Sequence, residues 1–318
     1  MASRISNLRA KQYSEKVKNY GGGNQGLTFL IIRKRPPAVG FFANTYHVLQ
    51  GILYALEKNY IPVVDMKNYW VDELSSVRKI NGTHNAWEYF FKPVTEYSLK
   101  EVYKSKNVVL SNGESIFAKN SSFHGRNFSG QISNIKFLNV YFKKYIQVNY
   151  QTQNYIDKVK KELDWNPYQT LAIFIRGTAY NKFPNLKDLT ADLDFFMTTC
   201  NEMLIKHKLK KIYISTEDFI LYNKLIANFS NIEIIPSIRF PPNLTLSNWK
   251  LSQKVNHDGS IRLGYEKTLL YLTEARLLSE CNNFVGTISN ASIYILGNSN
   301  LEIGEKVLVK QQSLIRIA

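Results

Sequence analysis

Apolar residues fall in short dense runs separated by longer stretches of helical period. The runs are Leu27–Ile32, Ile61–Val64, Lys106–Leu110, Leu171–Ile175, Lys211–Ser215, Ile232–Ile235, Asn283–Val285 and Lys306–Lys310. Runs this short and this apolar predict strands buried on both faces, as in a parallel sheet. Between the first two, Phe42, Leu49, Leu53 and Leu56, with Tyr46 alongside, make one stripe and predict a helix from about Phe42 to Lys58. Asn59 suits its left-handed C′ position. Further helices are predicted over 188–206, 217–229 and 265–280, and Gly286 to Asn290 opens a last one. Residues 131–165 read as mainly helical, with Ile146, Val148, Tyr155, Ile156 and Val159 as apolar positions. Strands alternating with helices predict an α/β chain built on parallel sheet.

The rhythm breaks near 150–168, before Trp165-Asn-Pro167, and the boundary is placed at 160/161. Two α/β domains follow, 27–160 and 161–318, behind an N-terminal stretch of 26 residues. That stretch is polar and Lys-rich and ends in Gly21-Gly-Gly-Asn-Gln-Gly26. It precedes a strand and no Gly-Lys-Ser/Thr follows, so it is read as a flexible arm and not a P-loop. Gly113–Gly130 and 236–263 read as long loops, the second holding His257, Asp258 and Gly259.

Composition narrows the function. With 318 residues and 44% apolar content the chain has enough material for two cores. Two distant cysteines, Cys200 and Cys281, offer no disulfide framework and point to a reducing compartment. No apolar run approaches a membrane span and the first 20 residues lack an apolar h-region, so a cytoplasmic protein is expected. The balance of 41 Lys and Arg against 25 Asp and Glu gives +16, which favours anionic partners. The lysines are scattered and no zinc-finger, helix-turn-helix or RNP signature appears, so nucleic acid is not the expected partner. Five histidines without HxH or HExxH spacing give no metal site. Asp192-Leu-Asp194 has the form of a metal-binding DxD, but it opens a helix, where acids ordinarily cap.

Candidate chemistry clusters where strands end. Arg176 closes the Leu171–Ile175 run, at the edge where open α/β sheets bind ligands. Its planar fork suits phosphate, or pairs with a carboxylate at the sheet edge. Ser215, Thr216, Glu217 and Asp218 end one strand and open a helix, placed for a ribose or base, or for capping. Gly286, Thr287, Ser289, Asn290 and Ser292 crowd another helix start, a ready anion site. Near the N-terminus, Gly40 and Asn44 flank the first helix start, where backbone N–H groups meet an anion or the glycine makes a turn. Glu88 stands among Trp87, Tyr89, Phe90 and Phe91, as a base with a raised pKa or as a satisfied structural acid.

Four stretches in order resemble the fucosyltransferase-like glycosyltransferases, the superfamily of nodulation-factor and core α1,6-fucosyltransferases and related bacterial polysaccharide enzymes. They are Gly40 to Asp65 with its "IPVVD" strand, Ile173-Phe-Ile-Arg-Gly-Thr-Ala-Tyr180, Ile212-Tyr-Ile-Ser-Thr-Glu-Asp218, and Tyr265 to Asn290 with "LLSEC" and Phe284-Val-Gly-Thr-Ile-Ser-Asn290. The resemblance spans about 27 to 300. Phe174 stands where the family commonly has His, and Ala179 where it has Asp. Arg176, which the family uses on the donor β-phosphate, is kept.

The resemblance implies a GT-B architecture, two Rossmann-like domains facing a cleft, with 27–160 on the acceptor side and 161–318 binding a nucleotide sugar. It implies inverting sugar transfer, fucose from GDP-fucose, without cofactor or metal. Arg176 and the N–H groups after Gly286 would stabilise the departing diphosphate. Thr178 and His257 join Gly40, Asn44 and the two strand-end clusters as donor contacts. Glu88, then Asp65, is the base candidate, and the aromatic 69–91 region faces a glycan or lipid-linked saccharide. The +16 charge suits that donor and peripheral contact with an anionic membrane. The alternatives are a transferase for another nucleotide sugar, or a non-catalytic binder of glycan or nucleic acid.

Overall fold

The structure is a computed structural model and describes residues 16–33, 40–68, 79–111, 128–176, 189–240, 244 and 261–317. The chain divides into two compact units, Met1–Gly130 with Lys144–Thr152, and Gln131–Lys143 with Gln153–Ala318.

In the first unit β1 (Lys16–Lys18), β2 (Gly23–Ile32), α1 (Phe41–Glu57), β3 (Ile61–Val64), α2 (Leu99–Val102) and β4 (Ser105–Leu110) follow in order. The sheet runs β1-β4-β2-β3. β2 is parallel to β3 and β4, and β1 is antiparallel to β4. Phe29, Ile31, Val63, Val102, Val108 and Leu110 pack into one core, as the dense runs require.

The arm expected over 1–26 differs from what forms. Residues 16–18 pair with β4, and the first strand starts at Gly23 instead of Leu27. The Gly23 amide donates to the Lys104 carbonyl at 3.0 Å. A Cβ would stand 2.7 Å from that oxygen at Gly21 and 2.9 Å at Gly23. These glycines let two backbones touch.

The second unit takes up most of α4 (Ile135–Tyr145), which follows α3 (Phe128–Ser133), and most of α5 (Tyr150–Glu162). β5 (Thr170–Phe174), α6 (Leu193–Lys206), β6 (Lys211–Ser215), α7 (Phe219–Asn228), β7 (Glu233–Ile235), α8 (Ile261–Glu280), β8 (Asn283–Thr287), α9 (Asn290–Asn298), β9 (Lys306–Lys310) and β10 (Ser313–Ile317) complete it. The sheet runs β10-β9-β8-β5-β6-β7, all parallel except the edge hairpin of β9 with β10. Leu171, Ile173, Ile212, Ile214, Val285, Val307 and Val309 are fully buried, which is why these strands read as continuous apolar runs.

The division therefore does not fall at 160/161. Residues 131–143 belong with the second unit because α4 packs on the end of α9. Phe142 stands edge-on to Tyr294 with centroids 5.9 Å apart. A Cβ at Gly297 would lie 2.2 Å from the Phe142 ring, so only glycine admits that ring. Asn139 Nδ2 donates to the carbonyls of Leu296, Gly297 and Ser299 at the end of α9, where helical partners run out. In the same unit α5 is tied to α8 by Lys160 and Glu280.

Candidate active site

The carboxyl ends of β5, β6 and β8 lie side by side in the second unit. Where β5 runs out, the Ile175 amide donates to Ser215 O at 3.1 Å and the Arg176 amide to Thr287 Oγ1 at 2.7 Å. The backbone before the Arg176 side chain is thus held by both neighbouring strands. Arg176 Nε lies 3.1 Å from Glu217 Oε1, and each side chain is 30% exposed. The guanidinium meets a carboxylate at the sheet edge, and both remain in reach of solvent.

The start of α9 is adjacent. Ser289 caps it, accepting from the Ser292 amide at 3.1 Å, and Ser292 Oγ donates back to Thr287 O. Thr287, Ser289 and Ser292 are buried and brace one another, whereas Asn290 is half-buried. Gly286 lies within the ladder, opposite Phe174 and Leu308, and a Cβ there would meet the Phe284 ring at 2.4 Å. Its requirement for glycine is met by packing.

The Ser215–Asp218 cluster is mostly turned inward, against the expectation of four ligand contacts. Thr216 Oγ1 accepts from the Asp218 amide. Asp218 caps α7, accepting from Ile220 and Leu221. Ser215 Oγ donates to Glu274 at 2.8 Å. Only Glu217 keeps substantial exposure. Asp192 likewise caps α6 through the Phe195 amide, and that bond, with Gln312, holds its carboxyl below the ordinary aspartate pKa. Among the described residues no group of three His, Cys, Asp or Glu side chains could hold a metal ion.

Two residues that sequence reasoning passed over organise this edge. Glu274 of α8 is fully buried and accepts from Tyr213 Oη (3.3 Å), Ser215 Oγ (2.8 Å), Ser237 Oγ (2.9 Å) and Arg239 Nε (2.5 Å). Arg239 also donates to Ser215 Oγ at 3.1 Å and Thr216 O at 2.6 Å, and its guanidinium carbon sits 4.7 Å from the Tyr271 ring centre. Burial alone would lower the Arg239 pKa, but the charges of Glu274, Tyr271 and Glu217 outweigh it and raise it. Burial raises the Tyr271 phenol pKa, Glu217 adds to that, and Arg176 and Arg239 oppose. The signal was present: Glu274 shares the buried stripe of α8 with Leu272, Ala275, Leu277 and Leu278. A carboxylate at a core position requires partners.

In the first unit Gly40 precedes α1 as its exposed N-cap residue, its carbonyl accepting from Ala43 and Asn44. Asn44 is buried in a small pocket with Phe41, Thr45, Met66, Ala86, Trp87 and Phe91. Glu88 lies in the 3₁₀ turn Ala86–Tyr89, its oxygens accepting from Asn85 Nδ2 at 2.9 Å and Thr83 Oγ1 at 3.0 Å. Asp65 is buried and accepts from the Lys67 and Asn68 amides, Asn68 Nδ2 and Tyr103 Oη. Glu88 is hydrogen-bonded by neighbours in its own turn, and Asp65 by its own turn and by Tyr103. Thr178, Ala179 and His257 lie outside the described residues.

No family model and no curated protein sequence matches the chain. Solved structures do. NodZ α1,6-fucosyltransferase soaked with GDP-fucose matches with a TM-score of 0.52 at 12% identity, over 92% of this chain and 99% of that one. Fucosyltransferase NodZ from Bradyrhizobium gives 0.51 at 12% identity, over 92% and 98%. NodZ co-crystallised with GDP gives the same values. With two α/β units built on parallel strands, the chain has the fucosyltransferase-like GT-B fold.

Proposed function

We propose that the chain is a glycosyltransferase that moves a sugar, fucose from GDP-fucose, to a hydroxyl of a glycan or lipid-linked saccharide, with inversion and without a metal ion. One observation carries this reading: Arg176 stands at the carboxyl edge of the second sheet, its amide tied to Thr287 at the end of β8, two residues before the Ser289 cap of α9. The fold supports it, since the matching NodZ structures were solved with GDP-fucose and with GDP. The acceptor oxygen bonds to the anomeric carbon as the bond from that carbon to the diphosphate oxygen breaks. The electron pair leaves with GDP, and Arg176 and the first amides of α9 meet the added charge. Ser289 takes the Ser292 amide and the Ser289 carbonyl takes that of Ile293, so the ligand's share is the amides of Asn290 and Ala291. Thr178 and His257 remain donor contacts in this reading.

The acceptor proton needs a base. Glu88 is assigned it because Asn85 and Thr83 fix its orientation, and a carboxylate with about four acceptor sites keeps capacity for a substrate hydroxyl. The test is a nucleotide screen. GDP should raise the melting temperature and UDP should not, and GDP-fucose should be consumed with EDTA present. Stabilisation by UDP alone points to another donor. No response to any nucleotide removes the reading.

A further inference from the structure

The inward face of α4 is accounted for by Ile135, Leu138, Asn139 and Phe142, all buried and spaced for one side of a helix. Asn139 and Phe142 fix the helix on α9, so its outward face is fixed as well. That face ought to be polar. It presents instead Phe137 at 44% and Val140 at 62% exposure, with the Tyr141 ring 4.8 Å from that of Phe137. Lys136, Lys143 and Lys144 are exposed beside them, and the helix has no acid to offset them.

We propose that this outward face of α4 docks on an anionic phospholipid surface. Apolar side chains and an aromatic ring flanked by lysines form the profile of a helix lying in a membrane interface. The rings and Val140 would enter the acyl boundary, and the lysine stems would lie along it with their ammonium groups at the phosphates. Charge selects this occupant over a second copy of the chain, because a symmetric contact would set the same lysines against each other. No helix among the described residues is long and apolar enough to cross a membrane, so the contact is peripheral. The inference rests on α4 alone and stands apart from the glycosyltransferase reading.

Sedimentation of the full chain with vesicles tests it, using phosphatidylcholine alone or mixed with phosphatidylglycerol. The chain should pellet with the mixed vesicles only. Phe137→Ser with Val140→Ser should weaken binding about tenfold through lost apolar burial. Lys136→Gln with Lys144→Gln should weaken it about fivefold per lysine. These side chains are exposed, so circular dichroism and melting should not change. Cys200 and Cys281 are buried, so Val140→Cys can be labelled selectively with a polarity-sensitive dye, which should report a drier environment on mixed vesicles. Three results overturn the proposal: no pelleting; pelleting unaltered in the Phe137/Val140 variant, which would make it a matter of net charge; or a dimer in light scattering that this variant abolishes.

Discussion

Two arginine–glutamate pairs share the second unit, and they differ in what surrounds them. Arg239 and Glu274 are enclosed, the acid at 0% and the arginine at 11% side-chain exposure. Tyr213, Ser215, Ser237 and the Thr216 carbonyl take up the pair's other bonds. Arg176 and Glu217 make a similar contact while each keeps 30% exposure. A saturated buried pair holds a scaffold, because removing either partner strands a charge in the interior. A pair at the rim can exchange one anion for another at little cost, since solvent screens both. The same kind of pair is thus a closed brace in one place and a solvent-accessible contact in the other.

Four experiments press on that contrast. Glu274→Ala should be the most damaging, lowering stability by about 3–5 kcal/mol in denaturant unfolding, because Arg239 is left buried without its counter-charge. Arg176→Ala should leave unfolding almost unaltered and reduce turnover about 10²–10³-fold. If the two phenotypes were exchanged, the contrast would be reversed. Glu305, at 15% exposure, lies between the two cases and meets Lys206, His207 and Arg316. Burial raises its pKa, but the bonds from Lys206 and His207 and the charges of Lys206 and Arg316 outweigh that, leaving it below the ordinary 4.5. A depressed folded pKa means the unfolded chain binds the proton more readily. The contribution is therefore complete above pH 4.5 and fades as the pH drops through the folded value. Glu305→Gln should remove that acid sensitivity and cost about 0.2–1 kcal/mol per pair at neutral pH. Smallest of all, Glu217→Gln should tighten GDP binding by roughly two- to fivefold in calorimetry, by removing the anion that competes for Arg176.

The strands and their parallel order were legible because strands buried on both faces must be apolar throughout. Arg176 was legible for the converse reason, a charge ending such a run. Other features share one signature with two meanings. Gly21 and Gly23 read as slack, because composition cannot separate a chain that needs freedom from one that needs room beside a carbonyl. Thr216, Asp218, Ser289 and Ser292 read as ligand contacts or as caps, because the side chains that cap a helix are those that bind anions. Glu274 and Arg239 are 35 residues apart and join only through packing. β10 is short, with Ser313, Leu314, Ile315 and Arg316 all partly exposed at the sheet edge, so it carries no dense apolar run.

Asn139, with its grip on three carbonyls at the end of α9, has a consequence for how the chain can be divided. The second unit is discontinuous in sequence: it borrows a helix from before the segment that returns to the first. A fragment starting at residue 161 would lose that helix, strip the Asn139 bonds from the tail of α9 and bare the patch where Phe142 had rested. The second unit is not a module severable at residue 161, and on the ribosome its helix emerges before the sheet it will serve.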